Sequence, residues 1–224
     1  MDDTLPTLNA AEVRVLGSLI EKQITTPDYY PLSLNALTNA CNQLTNRDPV
    51  VSFDESVVLR AVDGLREKRL ATHFTGAESR VAKYKHSFTD AILLTPAEVA
   101  LLCVLMLRGP QTVGELRSRA ERLFKFDHLA EIEEVLNGLA ARPGQPLVTK
   151  LPRQPGTKES RTTHLLSGPV DVSAAGASAK PEAAPAPVDP EAERIAKLEA
   201  EIAQLRQEFV ELKQQFADFR KQFE

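Results

Sequence analysis

Two groups of basic side chains hold the residue types and spacing in this sequence best suited to chemistry with a partner. Arg66, Lys68, Arg69, Arg80, Lys83 and Lys85 form the first, opposed by Glu67 and Glu78. Arg142, Lys150, Arg153, Lys158 and Arg161 form the second, opposed by Glu159. Cations gathered in this way attract phosphate oxygens, and such contacts orient a protein on a nucleic-acid backbone without reading its sequence. Solvated surface charge is the competing reading for each residue alone, but the recurrence of the cluster argues for a shared use. Just upstream of the first group, Arg60 has the reach to contact a guanine edge.

Catalytic chemistry has no comparable footing. His73, His86, His128 and His164 are scattered, and no HExxH, GxSxG, Walker or GxGxxG pattern occurs. Cys41 and Cys103 each sit among apolar residues of a helical pattern, as inert buried thiols do. His86 and His164 occupy similar places late in the two basic groups, which suits structural histidines better than general bases. The sequence therefore predicts no enzyme, no metal and no cofactor. Two cysteines without a disulfide framework, and a polar start (MDDTLPT) without a signal-peptide pattern, predict a cytoplasmic protein. The longest apolar run, VALLCVLML at 99–107, is too short to span a bilayer, so no membrane association is expected.

The formal charge of -4 over 224 residues is unevenly placed. Residues 1–169 hold 20 Lys+Arg and 20 Asp+Glu, whereas 170–224 hold 7 and 11. A neutral body is not a general polyanion binder, so recognition must come from local patches.

The elements that must position those patches are laid out twice. LNAAEVRVLGSLI at 8–20 answers LTPAEVALLCVLM at 94–106, and SLNAL at 33–37 answers TVGEL at 112–116. VDGL at 62–65 answers LNGL at 136–139, and GAESR at 76–80 answers GTKESR at 156–161. Asn9 with Glu12, and Thr95 with Pro96 and Glu98, signal helix starts. The first copy predicts helices near 8–22, 33–44 and 53–69, the last opened by Ser52 and Glu55 as a capping box. Extended runs follow at 70–74 and 80–88. In the second run Ala82, Tyr84, His86 and Phe88 share one face, and Val81, Lys83 and Lys85 the other. Three helices closed by a β-hairpin make a winged helix. The expected fold is mainly α with small β-hairpins, as two tandem winged-helix domains at 1–90 and 91–169.

In such a module the third helix enters the major groove. The first copy's third helix has a core stripe of Val58, Ala61, Val62 and Leu65, which leaves Ser56, Arg60, Asp63 and Glu67 outward. The second copy's, LAEIEEVLNGLAA, offers Glu131, Glu133 and Glu134 and no base before Arg142. Phosphate repels that face, so it is expected to suit a protein partner rather than DNA. The helix before it is basic at Arg117, Arg119, Arg122 and Lys125, which suits packing against an acidic face between copies or subunits. In the first copy LNALTNACNQLTN at 34–46 carries Asn35, Asn39, Asn42 and Asn46 beside its apolar stripe. Asn is a poor helix former, so each needs a partner. The favoured reading makes Asn46 to Pro49 a capped turn and bonds Asn35 and Asn39 to the TTPDYYP loop at 25–31; donation to DNA phosphates is the alternative.

Residues 170–190 are rich in Ala and Pro with almost nothing to bury, the composition of a disordered linker. At 191–224 Ile195, Leu198, Ile202, Leu205, Phe209, Leu212, Phe216, Phe219 and Phe223 recur at alternating steps of three and four, the seam of a coiled-coil helix. A lone helix would leave that seam in water, so a homo-oligomer through it, or its docking on the body, is expected.

TTPDYYPLSLNALTNACNQLTNRDPV, LRGPQTVGELRSRAERL and PGTKESRTTHLLSG resemble the YceH-like family of uncharacterised bacterial proteins over roughly residues 8–169. The resemblance implies a tandem winged-helix fold and a bacterial cytosolic protein, and it supplies neither an activity nor catalytic residues. Together these readings predict a winged-helix DNA-binding protein, a transcriptional regulator or nucleoid-associated factor. It would touch double-stranded DNA phosphates through Arg66, Lys68, Arg69, Arg80, Lys83, Lys85, Arg153, Lys158 and Arg161, and bases through Arg60. The alternative is a protein–protein interaction scaffold built from the same modules, docking partners on the acidic third helix and the tail.

Overall fold

The computed structural model describes residues 5–74, 81–153 and 159–170, and these are mainly helical with small antiparallel sheets. In the first half α1 (Ala10–Thr25) leads through a 3-10 turn at Pro27–Tyr29 to β1 (Leu32–Ser33), α2 (Leu34–Cys41) and α3 (Glu55–Glu67). A hairpin of β2 (Ala71–Phe74) and β3 (Lys83–His86) follows, and β1 pairs with the other side of β3. In the second half the single-turn α4 (Phe88–Ala91) precedes α5 (Pro96–Arg108), α6 (Val113–Ala120) and α7 (Leu129–Ala140). A smaller hairpin joins β4 (Val148–Lys150) to β5 (Thr162–His164), and Gln111 bridges to Thr162 much as β1 does to β3. The predicted linker and heptad helix lie outside the described residues, as do Arg80 and Lys158.

Local chemistry sets the helix starts. Asn9 with Glu12 and Thr95 with Glu98 form the two capping boxes expected, with Pro96 in the first turn of α5, and Thr112 with Glu115 forms a third on α6. The start of α3 differs from expectation. Asp54, not Ser52, caps it, accepting from the Val57 N–H at 2.8 Å. The chain is held out of the helix until then because Asn42 grips the Phe53 backbone. Its amide donates to the Phe53 carbonyl at 2.7 Å and its oxygen accepts the Phe53 N–H at 2.8 Å.

The two halves share one hydrophobic core, with α1 packed on α5. Every residue of α5 from Val99 to Leu107 is buried, as expected of a helix apolar on all sides. On α1 Glu12 to Glu21 are also all buried, so its polar members need partners inside. The backbones come close at Gly17, where an added Cβ would lie 3.0 Å from Leu107 and 3.1 Å from Met106. Main-chain bonds stitch the halves as well: the Leu8 N–H donates to the Leu166 carbonyl and the Asp48 N–H to the Leu107 carbonyl, at 2.8 and 2.9 Å.

Glu21 supplies the strongest polar tie. Arg47 meets it in a two-pronged pair at 3.0 and 2.6 Å, with both side chains fully buried. Arg47 also donates to the carbonyls of Ala40 and Asn46, and Arg122 reaches Glu21 from the second half. Burial alone would raise the Glu21 carboxyl; the Arg47 hydrogen bonds and the nearby guanidinium charges outweigh it and hold the group below the ordinary carboxylate range.

The repeated glycines Gly64 and Gly138 have different jobs. An added Cβ at Gly64 would fall 2.3 Å from Glu12 Oε1, whereas at Gly138 nothing lies within 4 Å. Glu12 is buried against α3 because it accepts from the Asn9 N–H and pairs with Lys68 at 2.5 Å. Gly138→Ala should therefore stabilise the protein by about 0.5–1 kcal/mol through helix propensity. Gly64→Ala should destabilise it, because displacing Glu12 disrupts a cap worth about 1 kcal/mol and the Lys68 pair as well. Urea unfolding of the two variants checks the opposite signs.

Candidate nucleic-acid interface

The first half presents its cations from α3 and the hairpin. On α3 Val58, Ala61, Val62 and Leu65 are buried, the stripe read from the sequence, and Ser56, Arg60, Arg66 and Glu67 are exposed. Arg60 donates to Ser56 Oγ at 3.3 Å, and Ser56 in turn donates to Asp54 at 2.7 Å. That hydrogen bond, then the one from the Val57 N–H, lowers the Asp54 carboxyl. Arg66 is tied to Asp63 at 2.8 Å in an exposed pair one turn apart, an arrangement that costs little to open.

The hairpin register sorts its side chains. Thr72 faces Lys85 and Phe74 faces Lys83 across the strands, while Ala71 opposes His86 and His73 opposes Tyr84. Directly opposed residues share a face, so Lys83, Lys85, Thr72 and Phe74 lie together away from the buried Tyr84 and His86. Arg69 sits at the turn into β2 with φ +59°, exposed beside this face. Arg60, Arg69, Lys83 and Lys85 make no ion pair with a described residue.

Two other predicted contacts are committed to the fold. Lys68 closes the buried Glu12 pair. Arg161 clasps Glu115 at 2.8 and 3.1 Å and donates to the Pro110 carbonyl at 2.8 Å, which fastens the second hairpin to the start of α6. Arg153 is exposed beyond β4, and Arg142 donates to the Leu93 carbonyl. On α7 Ile132, Leu136 and Leu139 are buried; Glu133 and Glu134 are exposed, and Glu131 accepts from the Asp127 N–H at 3.2 Å.

The asparagine stripe divides in two. Asn42 holds Phe53, and Asn46, at φ +61°, accepts from Arg108 at 2.7 Å. Asn35 and Asn39 do not bond to the 25–31 loop as expected; Asn39 donates to Asn35 at 3.2 Å and Asn35 to Glu55 at 3.4 Å, an exposed ladder along α2 toward the start of α3. Their reach is set by the helix, where residues four apart stand one above the other. Tyr30 of that loop instead accepts from the His86 N–H at 2.8 Å, and burial raises its phenol.

A second basic group was not legible as such. Arg108, Arg119 and Arg122 line one cleft with Asn46, Ser118 and Glu121. Arg119 and Arg122 stand out as basic in the sequence, but Arg108 joins them only through the packing of α5 beside α6. Among the described residues no three His, Cys, Asp or Glu side chains are grouped to hold a metal, and no helix is long and apolar enough to cross a membrane.

Residues 8–157 match the family described as "Protein of unknown function, DUF480". The chain belongs to that family. It is 59% identical over 188 residues to a UPF0502 protein of Opitutus terrae, covering 84% of this chain and 80% of that protein. A UPF0502 protein of Geotalea uraniireducens is 56% identical over 195 residues, covering 87% and 88%. One from Vibrio campbellii is 50% identical over 199 residues, covering 87% and 89%. The resemblance drawn from the 25–50 stretch and its partner segments is thus to a bacterial family that the whole body matches.

The two hairpin histidines differ in their bonding: His86 is held by hydrogen bonds, whereas His164 Nδ1 is buried without a hydrogen-bond partner among the described residues. His86 Nδ1 accepts from the Phe88 N–H at 3.3 Å, so Nε2 carries the proton and meets Gln23 Oε1. Burial pushes His86 and His164 down to about 4 from an ordinary 6.5. In the unfolded chain they protonate first. Stability from these two residues is therefore complete above about pH 6.5 and is lost as pH falls toward 4. The urea midpoint should drop between pH 6.5 and 4.5, and the double substitution His86→Gln, His164→Gln should flatten that slope whatever its effect at pH 7.5.

Proposed function

We propose that this chain is a double-stranded DNA-binding protein of two fused winged-helix modules, acting as a transcriptional regulator or nucleoid-associated factor in the bacterial cytoplasm. The observation that carries the reading is the set Arg60, Arg69, Lys83 and Lys85, which α3 and the β2–β3 hairpin present without carboxylate partners among the described residues. Helix-turn-helix modules use a third helix for bases and a wing for phosphates. The exposed Asn39–Asn35 ladder on α2 adds amide donors on the helix that crosses the backbone in such modules. Arg66 joins by opening its exposed pair with Asp63, and Arg80, outside the described residues, is a further phosphate contact of this reading. The second half contributes phosphate contacts through Arg153 and Lys158. The heptad seam at 195–223 joins copies, which multiplies weak contacts through avidity.

A scaffold reading has one specific observation in its favour. Exposed Glu133 borders a groove of about 460 Å³ between α7 and the second hairpin, with Leu129, Leu136 and Val148 in its lining. A partly apolar groove in which Glu133 and Glu159 stand with Lys150 and Arg153 suits a protein segment of mixed charge better than a uniformly anionic DNA backbone.

Titration of fluorescent random-sequence duplex DNA with the full chain across salt tests the proposal. Affinity should fall with salt, with a log-log slope near -0.9 for each phosphate contacted. The double substitution Lys83→Ala, Lys85→Ala should make that slope shallower by about 2, while Arg161→Ala should lower the melting temperature far more than it changes the slope. Absence of binding at about 50 mM salt, where phosphate contacts are strongest, overturns the DNA reading.

A further inference from the structure

We infer that Arg108, Arg119 and Arg122 form a second anion site, which takes a phosphate group in the cleft where α5 and α6 end beside Asn46. The cleft is about 550 Å³, and Asn46, Arg108, Ser118, Arg119, Glu121 and Arg122 line it. That volume is within the range of small-ligand sites. Three guanidiniums face one lining carboxylate, and each has a donor fork shaped for phosphate oxygens.

The acids nearby are already engaged. Glu21 is held by Arg47 on two prongs before Arg122 reaches it. Glu115 is clasped by Arg161 at 2.8 and 3.1 Å and stands 3.7 Å from Arg119, too far for a hydrogen bond. Arg108 spends one nitrogen on Asn46. Arg108 and Arg119 sit in the last turns of α5 and α6, where the helix dipoles favour cations and hold them close despite their repulsion. That repulsion is still felt: burial first, then Arg119 and Arg122, lower the Arg108 guanidinium. A phosphate relieves it and adds acceptors to those that Asn46, Glu21 and Glu121 already offer. Ser118 and Asn46 add neutral hydrogen-bonding groups at the rim.

No residue lining this site belongs to α3 or the β2–β3 hairpin, and the proposal does not depend on the DNA reading. Its phosphate comes either from a free phosphorylated small molecule or from a nucleic-acid backbone, and the test separates them. The full chain is melted in increasing inorganic pyrophosphate with ionic strength held constant by sodium chloride. A saturable rise in melting temperature of about 5 °C is expected at high occupancy. Arg119 has the weakest tie to the fold, so Arg119→Gln should melt like the wild type without pyrophosphate and lose the rise. Lys125→Gln removes an equal charge outside the cleft and should keep it. No saturable rise, or a rise retained in Arg119→Gln, overturns the proposal. If the rise behaves as expected, duplex DNA that binds more weakly to Arg119→Gln and is displaced by pyrophosphate assigns the phosphate to a nucleic-acid backbone. DNA binding unchanged by the substitution, or no DNA binding at all, assigns it to a small molecule.

Discussion

A single carboxylate, Glu21, sits where the two halves of the body meet, and the arrangement of everything around it depends on keeping it paired. Its partner Arg47 comes from the loop after α2, and that arginine also satisfies the Ala40 carbonyl in the last turn of α2 and the Asn46 carbonyl in the loop. Taking such a charge out of water is expensive, and breaking one side of a buried pair typically costs about 3–5 kcal/mol. The pair therefore fixes the path of the loop between α2 and α3. Arg122 extends the same cluster to the loop after α6, so the polar centre and the α1–α5 contact constrain the halves together.

This shared frame explains how a duplicated sequence comes to present two unlike surfaces. Each copy's first helix becomes one side of a central contact, and Gly17 lets the backbones approach there. The third helices then diverge. In the first half Glu12 fills the space over Gly64 and recruits Lys68 inward, leaving Arg60 and the hairpin lysines outside. In the second half no side chain covers Gly138, the matching Glu98 is only half-buried and bonds to its own cap, and Arg161 is spent on fastening the hairpin. Cations are thus engaged by the fold at different places in the two copies, Lys68 in the first and Arg161 in the second.

Much of the fold could be read from the chain because local signals and core periodicity agree. The capping boxes at Asn9 and Thr95, the Val58–Leu65 stripe and the alternation of Lys83 to His86 all appear as expected. The departures share a cause, which is side-chain pairing set by the folded helices that overrides a local rule. Ser52 satisfies the pattern of a cap, but the Asn42 grip on Phe53 postpones the helix to Asp54. The sequence points Asn35 and Asn39 to the nearby loop, whereas α2 turns them toward Glu55. The site was less legible than the fold. Whether a cation is free or spent depends on partners such as Glu12 for Lys68 and Glu115 for Arg161, and no spacing announces them. Arg108, Arg119 and Arg122 converge only because α5 and α6 end side by side.

The most direct test of a DNA-facing first half is residue-resolved nuclear magnetic resonance of the full chain as a short duplex is added. Shifts should concentrate at Ser56 to Arg60, at the backbone of Lys83 and Lys85, and at the side-chain amides of Asn35 and Asn39, while Glu133 and Glu134 on α7 stay unmoved. Shifts that gather on α7 and its groove instead, or none at the first-half positions under several-fold excess of duplex, would contradict it.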